Sequence, residues 1–255
     1  MKIASWNVNS LKVRLPHLLD WLASAQPDVV ALQEIKLQDA DFPHEQLAQA
    51  GYRALVNGQK TYNGVALLSR MEGTDPVREI PGFDDPQRRV LAATVGDLRI
   101  VDLYVVNGQA VGSDKYAYKL AWLAALRDWL AAQLLIYPKL IVLGDFNIAA
   151  DDRDVHDPGA WHEQILCSTP ERQALQALVQ LGLHDSYRLL HEAGGVYSWW
   201  DYRQGAFRRN IGLRIDLVMI SSALRTRLLA AGIDRAPRKL ERPSDHAPVW
   251  LELSP

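Results

Sequence analysis

The chain has a single cysteine, Cys167, in 255 residues. No disulfide can close within it, and a reducing compartment is the simple expectation. No apolar run approaches the ~20 residues that a bilayer-spanning helix needs. The opening MKIASWNVNS lacks the apolar stretch of a signal peptide. A cytoplasmic protein without a membrane partner is expected, with a monomer as the default. There is no excess of positive charge either: 28 lysines and arginines face 30 aspartates and glutamates, a formal net charge of −2. Proteins that grip nucleic acid by bulk charge are basic. Such a partner would have to be met here by a local basic patch or a bound cation. Low-complexity segments, long charge runs, linkers and short repeats are all missing, so residues 1–255 are read as one domain. No HExxH or paired zinc spacing joins His44, His156 and His162, which read as surface histidines. Cys167 has no adjacent histidine or basic cluster to activate it as a nucleophile and reads as a partly buried apolar residue.

Short apolar runs alternate with helix-like segments from end to end. Residues 2–8, 29–33, 65–68, 99–104, 140–143 and 215–220 read as strands, being short, rich in β-branched residues and bounded by turn formers. The runs VVAL and LIVL within them are apolar throughout, so both faces of the sheet should be covered there. Helices are expected over residues 13–25, over 115–133 after Ser113 and Asp114, and from 169 to the glycine at 182, with Thr169 as N-cap and Pro170 at the first helical position. The pattern is that of an α/β domain.

Several strand ends carry acids or amides. Asp145 and Asn147 in GDFN are two apart, as are Asn7 and Asn9. On an extended chain each pair would leave on one face. Glu34 ends an apolar strand, where a charge must be solvated, paired or metal-bound. Taken singly, GDFN and NVN read at least as well as turn formers. Taken together, they gather oxygen ligands where α/β sheets collect ligands, and oxygen sets without cysteine suit Mg²⁺ or Mn²⁺. Near the C-terminus, SDHAP sets Asp245 beside His246. The stretch from YSWWDYR to GLRID interleaves aromatics with Arg203, Arg208, Arg209 and Arg214. Composition alone leaves a phosphate-and-base-binding surface and a packed tryptophan with a solvated basic loop as equal readings.

WNVNS, PDVVALQEIK, NGVALLSR, the LYVVNG segment, GDFN, YSWWDYR, NIGLRID and RPSDHAP occur in one order along nearly the whole chain. In this the chain resembles the exonuclease III / apurinic-apyrimidinic (AP) endonuclease family of DNA repair enzymes. The resemblance implies a four-layered α/β sandwich of the deoxyribonuclease I type, two packed β-sheets flanked by helices. It implies Mg²⁺ (or Mn²⁺) held by Glu34, with Asn7 and Asp245 close by, and Asp145 orienting or deprotonating the attacking water. Asn147 and Asn107 would hold or brace the phosphate. Asp216 would pair with His246, which donates to a phosphate oxygen or shares the role of base. Tyr104 would act as a hydrogen-bond donor or as phenolate. Trp199, Leu213 and Ile215 would wall an apolar pocket for a sugar without its base, a site selective by shape. Arg88, Arg89 and Asn210 would contact substrate.

The partner so implied is double-stranded DNA with abasic sites or 3′ ends, cut as AP endonuclease, 3′–5′ exonuclease or 3′-phosphatase. Val106 stands where the family usually has proline, and WHEQILCSTP departs from the common form beside the pocket. The balance of the three activities is therefore left open. A non-catalytic nucleic-acid-binding regulator and a superfamily phosphatase acting on a non-DNA substrate are the alternatives. The first would lack the acids that are present here. The second fits NIGLRID and RPSDHAP less closely.

Overall fold

The computed structural model describes residues 1–255. The strands are β1 (Lys2–Asn7), β2 (Val29–Gln33), β3 (Arg53–Asn57), β4 (Val65–Ser69), β5 (Gly73–Val77), β6 (Val90–Val95), β7 (Leu98–Tyr104), β8 (Leu140–Asp145), β9 (Leu183–Asp185), β10 (Asp216–Ser221), β11 (Leu228–Ile233) and β12 (Val249–Leu253). The helices are α1 (Leu11–Ala25), α2 (His44–Gln49), α3 (Asp114–Ile136), α4 (Pro158–Trp161), α5 (Thr169–Gln180), α6 (Ser186–Leu190) and α7 (Ala206–Arg209). The strands form two six-stranded sheets, ordered β11-β12-β1-β2-β4-β3 and β5-β6-β7-β8-β10-β9. Within each sheet one pair is parallel, β1 with β2 and β7 with β8, and the other pairs are antiparallel.

Side-chain alternation sorts these strands into layers. In β2, Val29 and Ala31 face the other sheet, while Val30 and Leu32 face α1 and α2. In β8, Ile141 and Leu143 face the first sheet, while Leu140 and Val142 pack under α3 and α5. Three apolar layers therefore separate helix, sheet, sheet and helix, which is the four-layered sandwich. Each such Leu, Ile or Val contributes roughly 1.5–3 kcal/mol by leaving water. No helix is long and apolar enough to cross a membrane.

Three local expectations change. The helix expected from Thr169 is capped one residue earlier: Ser168 is the N-cap, and Glu171 reaches back to the Ser168 amide at 3.1 Å. The strand ends do not stay extended. Asn147 takes φ 49° and its amide bonds to Asp145 Oδ1 at 2.9 Å, while Asn9 takes φ 42° and its amide bonds to Asn7 Oδ1 at 3.0 Å. Both ends curl into Asx turns, so the same-face argument fails there. Strands β3, β5, β6, β9, β11 and β12 extend the sheets beyond the runs read from sequence.

Gly144 explains the first letter of GDFN. Its φ is 144°, and a Cβ there would lie 1.9 Å from the Leu103 carbonyl oxygen on β7. Gly144→Ala should therefore lower stability by more than about 2 kcal/mol, read as an earlier urea midpoint. An unchanged midpoint would mean that β7 and β8 do not meet this closely.

Candidate active site

The two parallel pairs bring four strand ends to one edge of the sandwich. β1 delivers Asn7, β2 delivers Glu34, β7 delivers Tyr104 and β8 delivers Asp145. β10 runs the other way and begins at the same edge, with Asp216 paired to Asp145 in register. The loop before β12 brings Asp245 and His246, fastened by Trp6 Nε1 donating to the His246 carbonyl at 3.2 Å and Ser244 Oγ donating to the Asn7 carbonyl at 2.7 Å.

Asn7 is the bridge. Its Nδ2 donates to Glu34 Oε1 at 2.8 Å and to Asp145 Oδ2 at 2.9 Å. His246 Nδ1 lies 2.9 Å from Asp216 Oδ2, and its Nε2 lies 3.7 Å from Asp145 Oδ2. One ligand atom each from Glu34, Asp145 and His246 falls within 4.8 Å of the others. Ser198 Oγ donates to Asp216 Oδ2 at 2.6 Å and accepts from the Asp216 amide, fixing that carboxylate.

Burial strengthens these charges and sets their protonation. Burial pushes the Asp145 carboxyl up, the charge on His246 pulls it down and Asp216 pushes it up again, leaving it at about 7. Burial opposes a charge on His246, but the carboxylates of Asp216 and Asp145 outweigh it and lift the imidazole to about 10. The ring is then a cation that donates from both nitrogens, with Nδ1 facing Asp216. The Tyr104 phenol is pushed well above its usual value, first by burial and then by the charges of Glu34 and Asp145. In the metal-free protein it is a neutral hydrogen-bond donor at physiological pH.

Not every expected residue lies where the sequence suggested. Asp245 stands apart from the Glu34–Asp145–His246 group: its Oδ1 accepts from Asn9 Nδ2 at 2.9 Å and its Oδ2 from Trp199 Nε1 at 3.0 Å. Arg88 is exposed, but Arg89 is buried, with its guanidinium on Gln87, on the Tyr104 carbonyl and 4.7 Å over the Tyr104 ring. It braces Tyr104, and its remaining surface lines a groove shared with Asn107 and Gln109. Asn210 caps α7 in a left-handed conformation, with its amide on Gly195 O and its oxygen accepting from Trp200 Nε1. Asn107 Nδ2 donates to Asn147 Oδ1 at 3.1 Å, and Asn147 Nδ2 donates to Val105 O. Leu213 and Ile215 do not wall an open pocket. They are fully buried against Ala149, Val155, Leu166 and Cys167, with Ile165, Trp161 and Trp199 alongside.

Lys36 and Ser198 were overlooked by sequence reasoning. Lys36 Nζ sits 3.0 Å from Glu34 Oε2 and donates to Asn9 Oδ1 at 2.6 Å. Its two-residue spacing from Glu34 was the available signal. The donor set fits a hard divalent cation. It offers carboxylate oxygens of Glu34 and Asp145, with Asn7 turning its Nδ2 towards both, no thiolate in the group and an imidazole that is protonated rather than free to ligate.

The chain matches the Endonuclease/Exonuclease/phosphatase family over residues 4–246. It is 36% identical to the exodeoxyribonuclease III of Haemophilus influenzae, across 99% of this chain and all of that protein. The solved structure of a 3′ phosphatase from Neisseria, NExo, bound to product DNA hairpin superposes with a TM-score of 0.98 at 48% identity, over 100% of this chain and 99% of that one. An AP endonuclease from Archaeoglobus fulgidus superposes with a TM-score of 0.97 at 31% identity, over all of both chains.

In the metal-free protein, the His246 ring nitrogens should titrate by NMR near 10, and Asp216→Asn should bring that midpoint down. The folded value lies above the unfolded one, near 6.5. The stability from this pairing is thus complete below about 6.5 and lost as pH rises through about 10. A midpoint of about 6.5 in the wild type would contradict the charge pairing seen here.

Proposed function

The chain belongs to the exonuclease III / AP endonuclease branch of the endonuclease/exonuclease/phosphatase family, and on that premise we propose that it hydrolyses phosphate esters at the 3′ ends of duplex DNA. The cofactor in this reading is Mg²⁺, or Mn²⁺, held by Glu34 with Asn7 and Asp145 beside it. Such a cation polarises a phosphate oxygen and offsets the charge that grows as phosphorus is attacked.

The chain's own groups supply the rest. Asp145 sits at about 7, where a general base changes protonation near neutral pH. Asn7 and the Asn147 amide each hold one of its oxygens, which fixes the direction from which a water is drawn. His246, held by Asp216, donates a charge-assisted hydrogen bond from Nε2 towards the phosphate. Tyr104, neutral and braced by Arg89, is a second donor, and Asn107 at the exposed rim is a third. Asp245 acts through Asn9 and Trp199 in this scheme and is at most an outer partner of the cation.

The preference for 3′ ends rests on one observation: Leu213 and Ile215 are sealed under Leu166 and Cys167. A sugar swung out of a continuous duplex needs that space. A 3′-terminal phosphate does not. A terminal nucleotide also frays without the unstacking that an internal one requires. Incision at abasic sites is the second reading. Trp199 favours it, being only partly buried on an open groove of about 450 Å³ that His156 and Trp161 also line.

A side-by-side assay separates the two. With Mg²⁺, duplexes ending in a 3′-phosphate or a recessed 3′-hydroxyl should turn over at least about tenfold faster than one with an internal abasic analogue, a gap of the size pocket shape commonly gives. EDTA should abolish all three. Faster cutting at the abasic analogue would reverse the preference. Asp145→Asn should lower turnover by about 10³-fold or more with the fold retained, and near wild-type turnover would remove Asp145 from its role.

A further inference from the structure

Behind the site lies a buried ion pair that touches neither Glu34 nor His246. Lys119, in the second turn of α3, and Glu171, in the first turn of α5, both have side chains with no exposed surface. An ammonium has three donors, and here each meets a different acceptor: the Glu171 carboxylate, the Asn147 carbonyl at 2.7 Å and the Asn107 carbonyl at 3.1 Å. The carboxylate is filled in turn. Its Oε1 also accepts from the Leu166 amide at 3.1 Å, and its Oε2 accepts from the Ser168 amide at 3.1 Å and hydroxyl at 2.6 Å. The Ser168 oxygen also lies 2.7 Å from the Tyr116 phenol.

A well-packed apolar pair would commonly serve stability as well as two buried charges do. Position offers another reason for them. The carbonyls held by the ammonium belong to the two asparagines at the phosphate position. The amides held by the carboxylate belong to the loop whose Leu166 and Cys167 cover Leu213 and Ile215. Asn107 and Asn147 also touch through their side chains, so a shift of Nζ moves both.

We propose that Lys119 and Glu171 are positioning residues: one buried ion pair ties the phosphate-holding asparagines to the loop that seals the apolar pocket, and so sets both the rate on 3′ phosphates and the refusal of internal abasic sites. This rests on the 3′-end reading above. The pair holds the two loops in one arrangement, because neither the 105–109 turn nor residues 162–168 belong to a sheet or helix that would fix them separately.

The test is the double variant Lys119→Met/Glu171→Gln, which removes both charges and keeps both shapes. Either change alone leaves a buried charge unpaired. Hydrogen exchange supplies a readout independent of activity: the amides of Gly108, Leu166 and Ser168 should exchange at least about tenfold faster while the sheet amides keep their protection. On a 3′-phosphate duplex, kcat should fall about tenfold with KM within about twofold, and the 3′-phosphate to abasic rate ratio should narrow about tenfold. A ratio equal to that of the wild type overturns the proposal even if both rates fall, because a purely structural role lowers them by the same factor. If the double variant does not fold, Tyr116→Phe removes only the bond to Ser168. It should narrow the ratio by about two- to threefold, the scale of one neutral hydrogen bond, and no narrowing overturns the proposal. Should the wild type itself prefer abasic sites, the reading of substrate has failed. The pair is then judged on exchange alone: local loss of protection sustains it and unchanged protection overturns it.

Discussion

The constraint on which the rest depends is that Asp145, Asp216 and His246 have lost their water. All three are buried, and none could stay charged alone. The imidazolium between two carboxylates is what makes the group tolerable. That arrangement requires β8 and β10 to present their acids in register and the loop before β12 to lay the histidine over them. Ser198, Trp6 and Ser244 are its fastenings, and each is itself buried. Glu34 stands at the edge of this group, partly exposed, with Asn7 on one oxygen and the Lys36 ammonium on the other. The buried part of the site is thus close to balanced within itself. Glu34 and Lys36 form an ion pair at the open side, where a cation and a phosphate would arrive together.

The sandwich makes this convergence possible through its two parallel pairs. A parallel pair puts both carboxyl ends on one edge, and two such pairs, stacked face to face, put four there. The Asx turns at Asn7–Asn9 and Asp145–Asn147 are matching devices in the two sheets. In each, the first residue fixes its own side chain on the amide two residues on and leaves its other polar atoms for the site. A strand that ran straight on would have carried these side chains past one another.

What was legible in the sequence follows burial. β2 and β8 are covered on both faces and read as unbroken apolar runs. β5 carries Pro76 and faces solvent, β6 is interrupted by the pair Ala92-Ala93, and β11 contains Gly232 packed on Trp250, so none had a strand-like signature of its own. The pairing of two sheets rests on contacts between residues far apart in sequence, which is why the sandwich came from family resemblance and not from periodicity. Among site residues, those with motif neighbours were found. Arg88 and Arg89 are adjacent in sequence but differ in surroundings. At the start of a strand the two alternate, and Arg88 faces out while Arg89 faces in. Lys119 was missed although it lies on the buried stripe of α3 with Tyr116, Leu123, Leu126 and Leu130, where a lone charge at helical spacing needs a buried partner.

Asp102 shows that the imidazolium, and not burial by itself, sets the chemistry of the edge. It sits on β7 between the sheets, two residues before Tyr104, as fully buried as Asp145. Gln33 Nε2 donates to one of its oxygens at 2.7 Å, and the other has no hydrogen-bond partner. Burial pushes its carboxyl well above the usual range, the Gln33 amide offsets this only in part, and the group links Ser5 and Gln33 of one sheet to the other. Asp145 has charged neighbours as well: His246 pulls its carboxyl down, while Asp216 and Glu34 push it up. With His246 3.7 Å away, the same burial lifts it only to about 7. Two acids in one core are thus shifted to different degrees: Asp102, between the sheets, well above the usual range, and Asp145, at the edge, to about 7. The loop carrying His246 therefore bears directly on the titration of Asp145, because it supplies the charge that holds this carboxyl down against burial.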